Sequence, residues 1–224
     1  MKQLMYVLLF AAISCSLSAQ KNFVNGTIGL VSGDKLQCEF VLQIKNSKDD
    51  KLFDRSHKIL KYRMPGEDTQ KMKFEEIDYL LVDTVIDGEP VQTLIRRMYS
   101  YTPRKKKVAK KSKRRSWFQL RDGCEEIQAY LYIHEFEIDK KGRIWESYMD
   151  GMGGYYLMRE GEDAPTYVGL VALRKLLTQK GFDKQRRNLL EIYFRGDEDG
   201  TAFVTGKKRI PQKELTEYVS NRCQ

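Results

Sequence analysis

The sequence predicts an α+β fold that is mostly β: an antiparallel sheet, sandwich or open barrel followed by C-terminal helices. Three observations carry that prediction. Apolar and polar residues alternate over Leu36–Ile44, the two-residue period of a half-buried strand. Turn signals rich in Gly, Pro and Asp then recur every roughly 8–15 residues, the spacing of short strands in an antiparallel sheet. After Pro165 the apolar period lengthens to that of a helix.

The elements follow in order. Asn25–Val31 (NGTIGLV) reads as the hairpin partner of Leu36–Ile44, and Ser32-Gly33-Asp34-Lys35 is the turn between them. Gly33 suits that turn because it takes positive φ without a Cβ clash. In the second strand Leu36, Cys38, Phe40, Leu42 and Ile44 form the inward face. Lys58–Arg63 is the next strand, ended by Pro65-Gly66-Glu67-Asp68. Lys71–Phe74 is short, and Ile77–Asp83 is more buried. Asp87-Gly88-Glu89-Pro90 turns the chain into Val91–Tyr101, and Ser116–Arg121 is the strand that follows. Ile127–Ile138 is a long strand that turns at Asp139-Lys140-Lys141-Gly142 into Arg143–Met149. Gly151-Met152-Gly153-Gly154 reads as a flexible joint before the strand Tyr155–Arg159. Val168–Gln179 reads two ways, helical in its middle at Ala172–Leu177 or beginning as a strand.

Phe182, Arg186, Leu189, Leu190, Tyr193 and Phe194 fall on one face of an amphipathic helix. Asp183 is its expected N-cap and Gly196 its stop. Pro211 opens a last helix with Leu215, Tyr218 and Val219 as its apolar stripe. The chain thus divides into residues 1–19, a β-rich domain over 20–170 and a helical region over 171–224 packed on the sheet.

Residues 1–19 have the three parts of a secretory signal peptide: a charged start at Lys2, an apolar run from Leu4 to Ile13, and small residues ending at Ala19. The apolar run is too short to span a bilayer, which takes ~20 residues. Cleavage is expected after Ala19, with Ser18 as the alternative. Ala12-Ile13-Ser14-Cys15 loosely matches the site at which bacterial lipoproteins are cut and acylated, which makes a lipid anchor on Cys15 the minority reading. No later stretch is long and apolar enough to span a membrane, so the mature chain is expected to be periplasmic, secreted or attached to the outer envelope. With 41% hydrophobic and 11% aromatic residues, it has a globular composition.

The formal charge of +9 is concentrated in one place. Arg104, Lys105, Lys106, Lys107, Lys110, Lys111, Lys113, Arg114 and Arg115 all lie within 104–115, which holds no acidic residue. Without Lys2 and these nine, the rest of the mature chain carries a formal −1. The block falls between two predicted strands, at the tip of a hairpin, and charge so dense is expected to be disordered. Its functional reading is a polyanion-binding element for anionic lipid head groups or envelope glycans. The plainer reading is a solvated loop. Nucleic acid ranks below both envelope polyanions for an exported chain. Tyr99, Tyr101, Trp117 and Phe118 flank the block; strand spacing favours packing over service as stacking platforms.

The mature cysteines are Cys38, Cys124 and Cys223. Cys38 sits on an inward strand face, which leaves Cys124 and Cys223 as the candidate disulfide in an oxidising compartment. No catalytic, cofactor-binding or metal-binding residue is assigned. His57 has basic neighbours, and His134 and Glu135 point to opposite faces of a strand. There is no nucleophile elbow or zinc motif, and Gly206-Lys207-Lys208 lacks the lead of a phosphate loop. Gly151–Gly154 precedes a strand, not the helix a dinucleotide site needs, and Asp197-Glu198-Asp199-Gly200 reads as a polar surface turn.

The order of several segments resembles a group of uncharacterised exported proteins common in Bacteroidetes. They are Gly26-Thr27-Ile28 with Gly33-Asp34, Phe74-Glu75-Glu76-Ile77, Tyr155-Tyr156-Leu157, Ile192-Tyr193-Phe194, and a final helix with Tyr218 and Cys223. The resemblance covers most of the mature chain and implies fold class and export only; the long basic block departs from it. The functional expectation is a non-enzymatic binding module of the cell envelope. An envelope-polymer hydrolase and a nucleic-acid-binding protein are the alternatives.

Overall fold

A computed structural model of the chain describes residues 23–45, 58–86, 88–104, 108–132, 135–138, 144–147, 152–172 and 179–224. The readings placed on residues 1–19, His57, Asp87, Lys105–Lys107, His134, the 139–142 turn, Gly151 and the helical stretch over 173–177 lie outside these residues.

The strands are β1 (Phe23–Leu30), β2 (Lys35–Val41), β3 (Gln43–Lys45), β4 (Ile59–Arg63) and β5 (Gln70–Lys73). They continue with β6 (Ile77–Ile86), β7 (Glu89–Met98), β8 (Tyr101–Arg104), β9 (Val108–Lys111) and β10 (Ser116–Gly123). The last are β11 (Ile127–Tyr132), β12 (Glu135–Ile138), β13 (Ile144–Ser147), β14 (Met152–Arg159) and β15 (Thr166–Ala172). Three helices complete the chain: α1 (Gln179–Tyr193), α2 (Glu198–Val204) and α3 (Gln212–Arg222). The fold is α+β and mostly β, with its helices at the C-terminus.

Twelve strands form one sheet in the order β5-β4-β2-β1-β6-β7-β10-β11-β14-β15-β8-β9. A second sheet has the order β13-β12-β3. β3 follows β2 across the single residue Leu42, and β12 follows β11 closely. Yet β3 pairs with β12, through Phe136 opposite Ile44, although four strands separate β2 from β11 in the large sheet. The sheet therefore curls until two of its strands meet beyond their ends, without closing as a barrel.

The curled face carries the main core. Ile28, Phe40, Ile44, Leu80, Val82, Ile95 and Phe136 are fully buried in it. Farther along the same face, Ala129, Leu157 and Val168 receive Leu190 and Phe194 from the α1 end, and Leu215 and Val219 from α3. The opposite face of β10, β11 and β14 carries a second, smaller core of Met98, Phe118 and Tyr130, flanked by Leu120, Tyr132, Tyr156 and Met158. Phe118 meets Tyr132 and Tyr156 edge to face, and Tyr156 meets Tyr167 in the same way. Strand alternation explains both cores: Trp117 and Phe118 are neighbours in sequence, and each is buried on its own side.

Several local readings are corrected. Leu42 breaks the expected strand Leu36–Ile44 in two. Met152–Gly154 is the start of β14, not a joint. Gly154 is accommodated there because a Cβ would press on the Tyr156 ring. Of the two readings of Val168–Gln179, the beginning as a strand holds, since Val168–Ala172 is the end of β15; residues 173–178 lie outside the described ones. Asp183 lies inside α1, which starts at Gln179, and pairs with Arg186 one turn on. Asp197–Gly200 is the capped start of α2.

Candidate functional site

The basic segment is built from the β7–β10 pairing, which ends at Met98 opposite Ser116. Beyond it the two chains continue as β8 and β9, with Tyr101 opposite Lys111 and Arg104 opposite Val108. The expectation of disorder is thus corrected for the described part of the block. Strand pairing with the unlike neighbours Tyr101 and Thr102 carries Lys111 and Lys110 of β9, so they do not have to pack against one another. The bend of the ribbon is fixed at Ser100 and Ser112: the Ser112 N–H donates to the Ser100 carbonyl at 2.7 Å, and the Ser100 N–H donates to the Ser112 hydroxyl at 3.0 Å.

The ribbon then docks beside the far edge of the sheet. Thr166 of β15 pairs with Tyr101 in parallel, and the Tyr101 N–H donates to the Pro165 carbonyl at 2.8 Å. Asp163, in the β14–β15 connection, holds the side chains: Lys111 donates to its Oδ2, and the Tyr101 hydroxyl donates to its Oδ1 at 3.1 Å. The hydrogen bonds from Lys111 and Tyr101 hold the Asp163 carboxyl below the ordinary carboxylate range, and Asp163 raises the Lys111 ammonium. A groove of about 300 Å³ lies alongside, lined by Tyr101, Ala109, Gly161, Glu162, Asp163, Ala164 and Thr166.

Of the nine basic residues, Arg104 ends β8, Lys110 and Lys111 are exposed on β9, and Lys113 and Arg114 are exposed in the turn after it. Arg115 is half-buried at the start of β10. Tyr99 is 37% exposed, with the Lys111 Nζ 5.2 Å and the Arg115 guanidinium 5.5 Å from its ring centroid. Trp117 and Phe118 are core residues, whereas Tyr99 is an accessible ring among cations. Arg97 adds a further positive group, its pKa lowered first by burial and then by Arg115.

Among the described residues, β9 is one edge of the large sheet and β5, with Lys71 and Lys73 exposed, is the other. Lysine on an edge strand discourages edge-to-edge pairing between molecules. That role accounts for Lys110 and Lys111. It does not account for Lys113, Arg114 and Arg115, which lie off the edge strand.

A second cluster escaped the sequence reading. Arg159 of β14 spans Glu162 at 2.9 Å and Asp197 at 3.4 Å, and its guanidinium lies 4.6 Å from the Tyr193 ring centroid. The Tyr193 hydroxyl donates to Glu162 at 2.9 Å. Asp197 caps α2 by accepting from the Gly200 N–H at 2.9 Å and also accepts from Arg222 of α3 at 2.8 Å. Arg222 pairs in addition with Glu126. Cys124 and Cys223 are joined by a disulfide beside this cluster, with Cα atoms 5.6 Å apart. Cys38 is a buried free thiol whose pKa burial and Glu39 push up to about 11. The cluster clamps the helices to the sheet, since each charge meets an opposite one. Only Asp197 at a cap spacing could have pointed to it in the sequence, because its other members are scattered from 126 to 222.

A larger groove of about 520 Å³ lies between the starts of α1 and α3, lined by Phe182, Asp183, Arg186, Pro211, Gln212, Lys213, Thr216 and Glu217. Arg186 is 2% exposed and committed to the structure: it donates to Asp183 and to the carbonyls of Ile210 and Leu170. No helix among the described residues is long and apolar enough to cross a membrane. No protein-family model, curated protein or solved structure matches this chain.

Proposed function

We propose that the protein is an exported, non-enzymatic binding module of the cell envelope. Its basic ribbon, from Tyr99 to Arg115, takes up clustered anionic groups: phosphates of lipid head groups or carboxylates of envelope glycans. The observation that carries this reading is the gathering of the cations on one ribbon, around the accessible ring of Tyr99. The rest of the mature chain is close to neutral, so attraction is focused there. Each Lys or Arg near an anionic surface contributes about 1 kcal/mol, which salt screens. Export rests on the signal-like residues 1–19.

The test compares the mature chain with a variant in which Lys110, Lys113, Arg114 and Arg115 are all Gln. Lys111 is kept so that docking to Asp163 survives. Sedimentation with vesicles of equimolar phosphatidylglycerol and phosphatidylcholine tests the lipid source, and retention on polygalacturonate tests the glycan source. Binding by the native sequence at low salt, release at high salt and loss in the variant are expected on at least one probe. Equal behaviour of the two proteins on both probes would overturn the reading.

A further inference from the structure

The contact between Asp163 and the ribbon has the form of an occupied binding site. Two donors of different kinds, the Lys111 ammonium and the Tyr101 hydroxyl, converge on one carboxylate, each on its own oxygen. The carboxylate comes from an exposed turn, and 60% of the Asp163 side chain and 41% of the Lys111 side chain remain accessible. At Gly161, two residues away, a Cβ would meet nothing within 4 Å, so the turn has open space beside it. The 300 Å³ groove opens next to the same carboxylate.

We propose that Asp163 is a built-in stand-in for the ligand. Lys111 and Tyr101 form an oxyanion-binding pair, and a carboxylate or phosphate group from outside displaces Asp163 from it. This rests on the polyanion reading and makes it specific: the group that binds carries at least two oxygens on one centre, matching the two donors. The displaced turn frees the ribbon's side-chain attachment to the sheet edge. The Tyr101 N–H bond to Pro165 and the one strand pairing to Thr166 remain as a hinge.

An Asp163→Asn variant removes the competing charge but keeps an acceptor for Tyr101. Asp68→Asn removes the same charge from the exposed turn between β4 and β5, at the opposite end of the sheet, and serves as control. On the vesicles and the polygalacturonate described above, Asp163→Asn is expected to bind about two- to fivefold more tightly than Asp68→Asn, the range an exposed ion pair is worth. Adding Tyr101→Phe to Asp163→Asn is expected to cancel part of that gain. Equal affinity of the two Asn variants, with binding by the native sequence intact, would overturn the stand-in while leaving the polyanion reading in place. Loss of all binding by the native sequence would overturn both.

Discussion

At Gly26 the backbone of β1 has no room for a methyl group. A Cβ there would run into the Leu81 carbonyl oxygen and lie 2.9 Å from the Phe40 ring. At Gly29 the obstacle is the Tyr79 ring, a side chain that can turn aside. Gly26→Ala is therefore expected to lower stability by about 1–3 kcal/mol, and Gly29→Ala by less, as read from urea midpoints. The sequence marks both glycines in an otherwise β-like strand, but it cannot name the atoms that exclude a side chain, because those belong to β2 and β6. Arg186 shows the same limit. Its place in the apolar stripe of α1 is visible from spacing. Its reason is not, since the carbonyls it satisfies are those of Leu170 and Ile210.

Among the elements, α2 is one that the sequence concealed. Seven residues are too few for an amphipathic period to show, and Asp197-Glu198-Asp199-Gly200 looks like a turn because capping and turning use the same residues. Asp197 also fastens the element to β14 and α3. Burial raises its carboxyl pKa, but the Gly200 N–H, Arg222 and Arg159 outweigh burial and hold it below the ordinary value. A carboxyl with a depressed folded pKa contributes stability that is complete above its unfolded value, about 4, and is lost as pH falls through the folded one. The native protein is expected to lose stability below pH ~4 more steeply than Asp197→Asn, when urea midpoints are compared across that range. The long strands and α1, by contrast, were legible because their periods run for several turns or pleats.

For the whole molecule, alternation locates strands but does not order them. β7 and β10 are neighbours although the entire β8–β9 ribbon lies between them in sequence. The ribbon's docking to β15 depends on Asp163 and Pro165, more than fifty positions from Lys111 and Tyr101. The burial of both faces of β11 and β14, and of β15 beside them, has a measurable result. Tyr130, Tyr132, Tyr155, Tyr156 and Tyr167 are all held above the ordinary tyrosine range, chiefly by burial. The neutral phenols stabilise the fold fully below the unfolded tyrosine value of about 10, and this contribution is lost as pH rises above it. The share of tyrosinate absorbance that belongs to these five is expected to be withheld past pH ~10 and then to appear together with the loss of near-ultraviolet dichroism. The bridge between Cys124 and Cys223 ties a loop of chain that contains β11 to β15 and α1, α2 and α3. A protease cut anywhere inside that loop leaves one covalent molecule, which denaturing electrophoresis separates into pieces only after a reductant is added. A cut at Lys113 or Arg114 falls outside the loop and yields two chains with or without reductant.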